Sequence, residues 1–183
     1  QHKITQDNLF YYYQYQPKDD TYKVTSAKDS QVEFKSLHAY FVQYAGAIDW
    51  KTTKILEPIQ AKRNNDNVEK TYSLRLELQK DTTYADQTFV LLKEEGATEA
   101  FDMNIDLTKM MNAGNNLYTL AGEECIQVAG NVVPVQEMTI PVGVKLATDG
   151  EYTFSMPNGT AGIQVELIDF ETNTRTNLLL DNY

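Results

Sequence analysis

The chain has 183 residues, 42% of them apolar, so it is long enough to bury a core and too apolar to be disordered. Its 16 basic and 26 acidic residues give a net charge of −10, which disfavours nucleic acid and anionic membranes as partners because phosphate binding needs clustered Lys and Arg. One cysteine excludes an internal disulfide framework, and no apolar run has the roughly 18 residues that a membrane helix needs.

The first part of the chain alternates short extended segments with turns. Residues 9–16 read L-F-Y-Y-Y-Q-Y-Q and predict a strand whose period of two places Tyr11, Tyr13 and Tyr15 on one face. The polar stretch 58–70 predicts a domain boundary or a long loop. Further short strands are predicted between these two segments, at 21–25, 32–34 and 38–44.

The middle of the chain carries the clearest pattern. Leucines alternate with polar residues over 71–80, which predicts a strand with one buried face. The Thr- and Asp-rich residues 81–86 predict a loop, and 87–93 predict a second strand that is apolar on both faces at its centre. Residues 106–111 then give the only good helical signal in the chain.

The last third of the chain again alternates apolar residues between turn signals. Strands that recur about every 8–12 residues with turn chemistry between them are typical of a β-sandwich. We therefore expect an all-β fold, an antiparallel, jelly-roll-like sandwich with one short helix. We expect two parts, an N-terminal β block at 1–66 and a C-terminal β-sandwich module at 71–183. The N-terminal block is interpreted as part of an incomplete sandwich. The strands predicted in this third lie at 116–121, on either side of 129–131 as two short strands, and at 135–147, 151–156, 163–167 and 175–180.

Oxygen-bearing side chains stand at alternate positions just before the predicted helix. Asp102, Asn104 and Asp106 resemble the opening of a calcium-binding loop, since calcium prefers carboxylate and amide oxygens. The sixth and twelfth loop positions are Leu107 and Ala113 instead of Gly and Glu, so the EF-hand pattern fails. Asp106 is better interpreted as the N-cap of the predicted helix, and calcium in a sandwich loop stays as the alternative.

Tyr11, Tyr13 and Tyr15 are the candidate ligand-binding residues. A row of tyrosine rings on a sheet can stack on sugar rings and offer hydroxyl groups to them. The alternative is that these rings cover the sandwich core or a seam between domains. We expect no enzyme, because the sequence holds no nucleophile-elbow, P-loop or dinucleotide motif, and no orienting signature joins Cys125 to His38. Cys125 is instead expected to be a small buried apolar group.

Several segments occur in an order that resembles a known family. They read F-V-L-L-K-E-E-G-A-T-E-A-F-D (89–102), D-L-T-K-M-M-N (106–112), L-Y-T-L-A-G-E-E (117–124), T-I-P-V-G-V (139–144), G-E-Y-T-F-S (150–155) and V-E-L-I-D-F-E-T-N-T-R-T-N-L (165–178). Together with L-H-A-Y-F-V-Q-Y-A-G-A-I-D-W (37–50), this series resembles the C-terminal β-sandwich region of large secreted and cell-surface proteins of Bacteroidetes bacteria. In those proteins the module precedes a C-terminal sorting signal.

The resemblance implies an extracellular or outer-membrane location in a Gram-negative bacterium. It implies a non-catalytic structural or adhesive role in a larger secreted protein, in contact with its other domains, other cell-surface proteins or polysaccharide. A carbohydrate-binding module that uses the surface tyrosines is the alternative function. No cofactor is implied.

Two further expectations follow from the resemblance. Family members usually continue past the equivalent of residues 181–183 with another strand, so the chain is expected to be a fragment or to accept a donated strand at its C-terminal edge. A start at Gln1 likewise suggests a processed chain or a piece of a longer one. The run Asp81-Thr82-Thr83 resembles an O-glycosylation acceptor of the same bacteria, which makes Thr82 a candidate glycosylation site.

Overall fold

The computed structural model describes residues 2–4, 11–16, 18–26, 32–34, 40–41, 50–52, 71–157 and 162–183. These residues form β-strands, turns and loops, so the prediction of an all-β fold is confirmed. Within the described ranges, no helix is long and apolar enough to cross a membrane.

The strands follow one another at short intervals, as the alternating pattern predicts. In chain order they are β1 (His2–Ile4), β2 (Tyr11–Gln16), β3 (Thr21–Ser26), β4 (Val32–Phe34), β5 (Tyr40–Phe41), β6 (Trp50–Thr52), β7 (Thr71–Lys80), β8 (Thr83–Lys93), β9 (Leu107–Thr108), β10 (Asn116–Ala121), β11 (Ile126–Pro134), β12 (Val142–Lys145), β13 (Tyr152–Ser155), β14 (Glu166–Asp169) and β15 (Thr174–Asn177).

Seven of the described strands form the main sheet, in the order β12-β10-β11-β8-β7-β13, with β9 paired to β11. β8 and β11 run parallel, with Gly130 opposite Phe89 and Val132 opposite Leu91. All other pairs of this sheet are antiparallel. The fold is thus sandwich-like, but its main sheet is not purely antiparallel as predicted, because the long connection through β9 and β10 allows a parallel crossover.

The β7–β8 hairpin is longer than predicted, because its turn takes only two residues. Asp81 and Thr82 adopt φ values of 48° and 68°, the left-handed conformation that a tight hairpin turn requires. β8 therefore begins at Thr83, and the predicted loop at 81–86 is wrong. Turn residues were mistaken for a longer loop, since Thr and Asp are common in both.

The sheet β3-β2-β5 covers one face of the main sheet. The N-terminal strands contribute Tyr11, Tyr13 and Val24 to a cluster that also contains Phe89 and Leu91 of β8. Strands from the predicted N-terminal block and from the predicted C-terminal module therefore bury one core together. The predicted boundary stretch lies outside the described residues.

The C-terminal part of the chain covers the opposite face of the main sheet. Leu76 and Leu78 of β7 pack with Leu178, and Leu92 packs in a second cluster with Ile163 and other apolar residues. β8 is therefore buried on both faces, as its continuous apolar centre predicts. The smaller sheets β4-β1-β6 and β14-β15 complete the described strands.

Residues 106–111 do not form the predicted helix. Leu107 and Thr108 form β9, which pairs with β11, and the Lys109 N–H donates to the Gln127 carbonyl at 2.8 Å. A helix of one or two turns has little stability of its own, so pairing of this backbone with β11 overrides the local pattern.

Candidate functional site

A group of buried polar side chains lies where β8, the segment around β9, β10 and β11 meet the β2–β3 hairpin. We call this group the polar seam. Buried polar groups are unfavourable unless they are hydrogen-bonded, so their partners show what the seam does. Its members are Tyr13, Asp86, Gln87, Asp106, Lys109, Asn112 and Asn116, and all are buried.

Asp86 and Lys109 form an ion pair at the centre of the seam. Their side chains are 1% and 0% exposed, and the Lys109 Nζ donates to the Asp86 Oδ2. The same oxygen accepts the Leu117 N–H at 2.7 Å. Burial raises the pKa of Asp86, although the Lys109 charge and the hydrogen bonds oppose this rise. Removal of one partner alone from a pair enclosed in this way strongly destabilises the folded protein, because the other charge is left buried and unpaired.

The Tyr13 hydroxyl joins β2 to the backbone on both sides of Lys109. It donates to the Thr108 carbonyl at 2.9 Å and accepts the Met110 N–H at 2.9 Å. Burial raises the pKa of Tyr13, so the hydroxyl stays protonated. In a second tie between the layers, the Gln87 Nε2 donates to the Val24 carbonyl of β3 at 2.6 Å.

Asp106 joins the loop before β9 to β11. Its Oδ2 accepts the Asp102 N–H at 2.7 Å, and its Oδ1 accepts the Val132 N–H at 2.7 Å. Burial raises the pKa of Asp106 to about 6, while these two hydrogen bonds act in the opposite direction. The carboxylate therefore fixes the position of the loop at an electrostatic cost near neutral pH.

Two asparagines organise the loop between β9 and β10. The Asn116 Oδ1 accepts the Asn112 N–H at 2.6 Å, and its Nδ2 donates to the Asn112 and Gly114 carbonyls at 3.1 and 3.0 Å. The Asn112 Oδ1 in turn accepts the Tyr22 N–H of β3 at 2.9 Å. These contacts replace secondary structure in a loop that lies against a second layer.

The structure separates the three candidate tyrosines. Tyr11 and Tyr13 are only 3% and 1% exposed, because their face of β2 packs on β8 and β11. Their rings are therefore not available for sugar stacking. Instead, these two rings cover a core, which was the alternative interpretation. Tyr15 lies nearer the margin, where its hydroxyl donates to the Asp20 Oδ1 at 2.9 Å and its ring lies 5.4 Å from that of Tyr22.

The three candidate calcium ligands, Asp102, Asn104 and Asp106, form a hydrogen-bonded turn. The Asp102 Oδ1 accepts both the backbone N–H and the Nδ2 of Asn104, at 2.8 and 2.9 Å. Asp106 is not a helix N-cap, although its carboxylate accepts backbone N–H groups as a cap would, from Asp102 and Val132. Across the part of the chain that the structure describes, no three His, Cys, Asp or Glu side chains are grouped to hold a metal ion. The calcium site stays a prediction.

Thr82 and Cys125 both lie in exposed turns. Thr82 occupies the tip of the β7–β8 hairpin, so its hydroxyl is accessible, and its glycosylation stays a prediction. Cys125 is exposed, and the expectation of a buried thiol is wrong. Its N–H donates to the Gly122 carbonyl at 3.1 Å in the β10–β11 turn. His38 lies outside the described residues.

The last residue of the chain pairs with the outermost strand of the main sheet. The Phe154 N–H of β13 donates to the Tyr183 carbonyl at 2.7 Å, and the Tyr183 N–H donates back at 3.0 Å. The Tyr183 hydroxyl donates to the Asp169 Oδ2 at 2.6 Å, and this bond is the main cause of an Asp169 pKa lowered to about 2. Part of the C-terminal edge is thus paired with the chain's own end, and strand donation there stays a prediction.

Sequence reasoning missed the Asp86–Lys109 pair and the two asparagines. One signal existed: Asp86 stands in register with Leu78 on the buried face of the hairpin, where an apolar residue is expected. A buried carboxylate requires a partner. The partner lies 23 residues further along the chain, and no local pattern indicates it.

The chain was compared with family models, curated proteins and solved structures. None of the three comparisons finds a match. The resemblance to the Bacteroidetes surface module therefore stays a prediction from the sequence segments that carry it.

Proposed function

We propose that the protein is a non-catalytic β-sandwich module with a structural or adhesive role in a larger secreted protein at the surface of a Gram-negative cell. The observation that supports this proposal is the identity of the hydrogen-bond partners of the polar seam. Tyr13, Gln87, Asp106 and Asn116 all bind backbone groups of the chain. Tyr13 and Gln87 join the two layers, and Asp106 and Asn116 fix the loops on either side of β9, which suits a module whose task is to keep its shape.

One edge of the main sheet also supports a role in contacts with other protein surfaces. Val142, Val144 and Leu146 of the β12 segment are 37%, 41% and 42% exposed, and β12 is the last of the described strands on its side of the sheet. Apolar side chains on an open edge favour association with another polypeptide. We infer that this edge contacts another domain of the parent protein.

Surface labelling of cells tests the proposed location. Antibodies raised against the purified chain are applied to intact cells of the organism that produces it and, in parallel, to lysed cells. The proposal predicts labelling of intact cells that is lost after mild external proteolysis, while a cytoplasmic marker stays protected. Labelling that requires lysis would contradict it.

Deletion of the module from the parent gene tests the proposed role. If the module is structural or adhesive, cells that lack it lose parent protein from the surface or lose adherence to their substratum, and enzymatic turnover of polysaccharide stays unchanged. Loss of a specific catalytic activity with normal surface display would overturn the proposal.

Carbohydrate binding remains the second candidate, because three aromatic rings lie beside the buried tyrosines, towards the solvent. We call these rings, of Tyr15, Tyr22 and Phe41, the aromatic margin. The Tyr15 and Phe41 rings each lie 5.4 Å from the Tyr22 ring, and Phe41 is 43% exposed. A glycan array with the wild-type protein and with Phe41→Ala tests this margin. Phe170→Ala, at an exposed residue of the β14–β15 turn, is the matched control. Binding that Phe41→Ala abolishes and Phe170→Ala retains would support it, and an array without binding would reject it.

A further inference from the structure

Lys109 and Asp86 bring an amine and a carboxyl group into contact where water does not reach them. Their side chains are 0% and 1% exposed. The backbone around Lys109 is fixed by its own N–H bond to Gln127 at 2.8 Å and by the two bonds of the Tyr13 hydroxyl to the residues before and after it. Asp86 lies in β8, at the centre of the main sheet. The two buried groups are therefore held in contact by the surrounding backbone, and such proximity is the main requirement for a reaction within one chain.

We propose that the Lys109 Nζ and the Asp86 side-chain carboxyl condense to an intramolecular amide, an isopeptide bond, in the folded protein. An amide is neutral, so the reaction removes two charges from a site where charges are poorly solvated. The raised pKa of Asp86, caused chiefly by burial, favours the protonated acid that the reaction needs.

The reaction needs no oxidant, reductant or further reactant. One proton passes from the Lys109 ammonium to the Asp86 carboxylate, which leaves a neutral amine and a neutral carboxylic acid. The nitrogen lone pair then attacks the Asp86 Cγ and forms a C–N bond. A second proton leaves the nitrogen and joins the departing hydroxyl group, so the C–O bond breaks and one water molecule is released.

The Leu117 N–H is placed to assist this step. It donates to the Asp86 Oδ2 at 2.7 Å, and the Lys109 Nζ contacts the same oxygen. A backbone donor fixed on a carboxyl oxygen stabilises the negative charge that develops there when a nucleophile adds to the carbon.

The product would be a covalent tie between two elements of the main sheet. It would join β8 to the segment after β9 across a separation of 23 residues. Cross-links of this kind stabilise chiefly by restricting the unfolded chain. The inference stands on the geometry of this pair and does not rest on the proposed surface location, so each can fail without the other.

Intact-mass spectrometry of the purified, denatured full chain tests the proposal. The expected mass is lower than the mass of the sequence by one water. Lys109→Arg keeps the positive charge but removes the reactive amine, so that protein should have its full sequence mass. Lys80→Arg, at an ammonium that binds the Thr148 Oγ1 at 2.6 Å on the surface, is the matched control and should retain the loss of water.

A tryptic map locates the bond. Trypsin cuts after Lys80, Lys93 and Lys145 but not after an acylated Lys109, so the expected product is a branched peptide of 81–93 joined to 94–145. Cyclisation at Asp149-Gly150 also releases water, but it would appear in a different peptide and would respond to hydroxylamine. The proposal would be overturned if the wild-type protein had the full sequence mass. It would also be overturned if the unlinked peptides 81–93 and 94–109 were the main products, and Asp86 and Lys109 would then form an ion pair only.

Discussion

The ring of Tyr11 lies against Gly130, so that a Cβ atom added at Gly130 would stand 2.4 Å from the ring Cδ2. Gly130 lies in β11 and Tyr11 in β2, and the ring also packs 5.8 Å from that of Phe89. At this contact the N-terminal sheet packs directly on the backbone of the main sheet. Only a residue without a side chain permits this approach.

Gly130→Ala is expected to lower the free energy of unfolding by about 1–3 kcal/mol, because the added methyl group overfills the seam between the sheets. Urea denaturation measures the change. Gly114→Ala is the matched control, since a Cβ there meets no atom within 4 Å, and it should leave stability nearly unchanged. Equal effects of the two substitutions would show that the N-terminal sheet does not pack on β11 in solution.

Two tyrosine-to-phenylalanine changes distinguish the hydroxyl groups of the buried face. Tyr13→Phe removes the acceptor of the Met110 N–H and should lower the free energy of unfolding by about 1–3 kcal/mol. Tyr11→Phe should be neutral or slightly stabilising, because the Tyr11 hydroxyl is buried without a hydrogen-bond partner among the described residues. Chemical denaturation of both variants checks the pair, and a larger loss in Tyr11→Phe would contradict the arrangement.

Asp106 should make the protein more stable as the pH falls from about 6 towards about 4. Its pKa in the folded state is about 6, above the ordinary value of 3.8. In that window the folded protein holds a proton that the unfolded chain has released, so protonation favours folding.

Urea denaturation between about pH 4 and pH 7 checks this dependence. Asp106→Asn should be less stable at all pH values, since one backbone N–H loses its acceptor, and its stability should vary less with pH. Asp169→Asn is the control, because an Asp169 pKa of about 2 gives stability that is lost only at lower pH. Identical pH profiles for Asp106→Asn and the wild type would show that Asp106 does not titrate in this window.

Thr82→Gly should stabilise the β7–β8 hairpin by up to about 1 kcal/mol, because a β-branched residue is strained at positive φ and glycine is not. Thr82 has a φ of 68°. Thr83→Gly, one residue later and inside β8, should instead destabilise, since a strand favours β-branched residues. Thermal unfolding of the two variants gives the comparison, and a lower midpoint for Thr82→Gly would exclude the two-residue turn.

Period-two alternation predicted several strands closely. β7 and β10 begin where the sequence indicates and β13 begins one residue later, and the apolar centre of β8 correctly indicated burial on both faces. The same reasoning failed for 106–111, where the apolar spacing indicated a helix and the backbone pairs with β11 instead. It also divided β11 into two strands, because Gly130 and Asn131 look like a turn and are buried strand residues in the structure.

The sequence by itself determined the fold class, because side chains alternate between the two faces of a strand and this period is local. Only the tertiary structure decided which faces are covered, and with it the burial of Tyr11 and Tyr13, the backbone partners of Asp106 and the pairing of Lys109 with Asp86. These outcomes depend on contacts between residues far apart in the chain. A carboxylate has the same spacing in the sequence whether it binds a cation in water or accepts backbone N–H groups inside a core, and the surrounding burial sets its partner and its pKa.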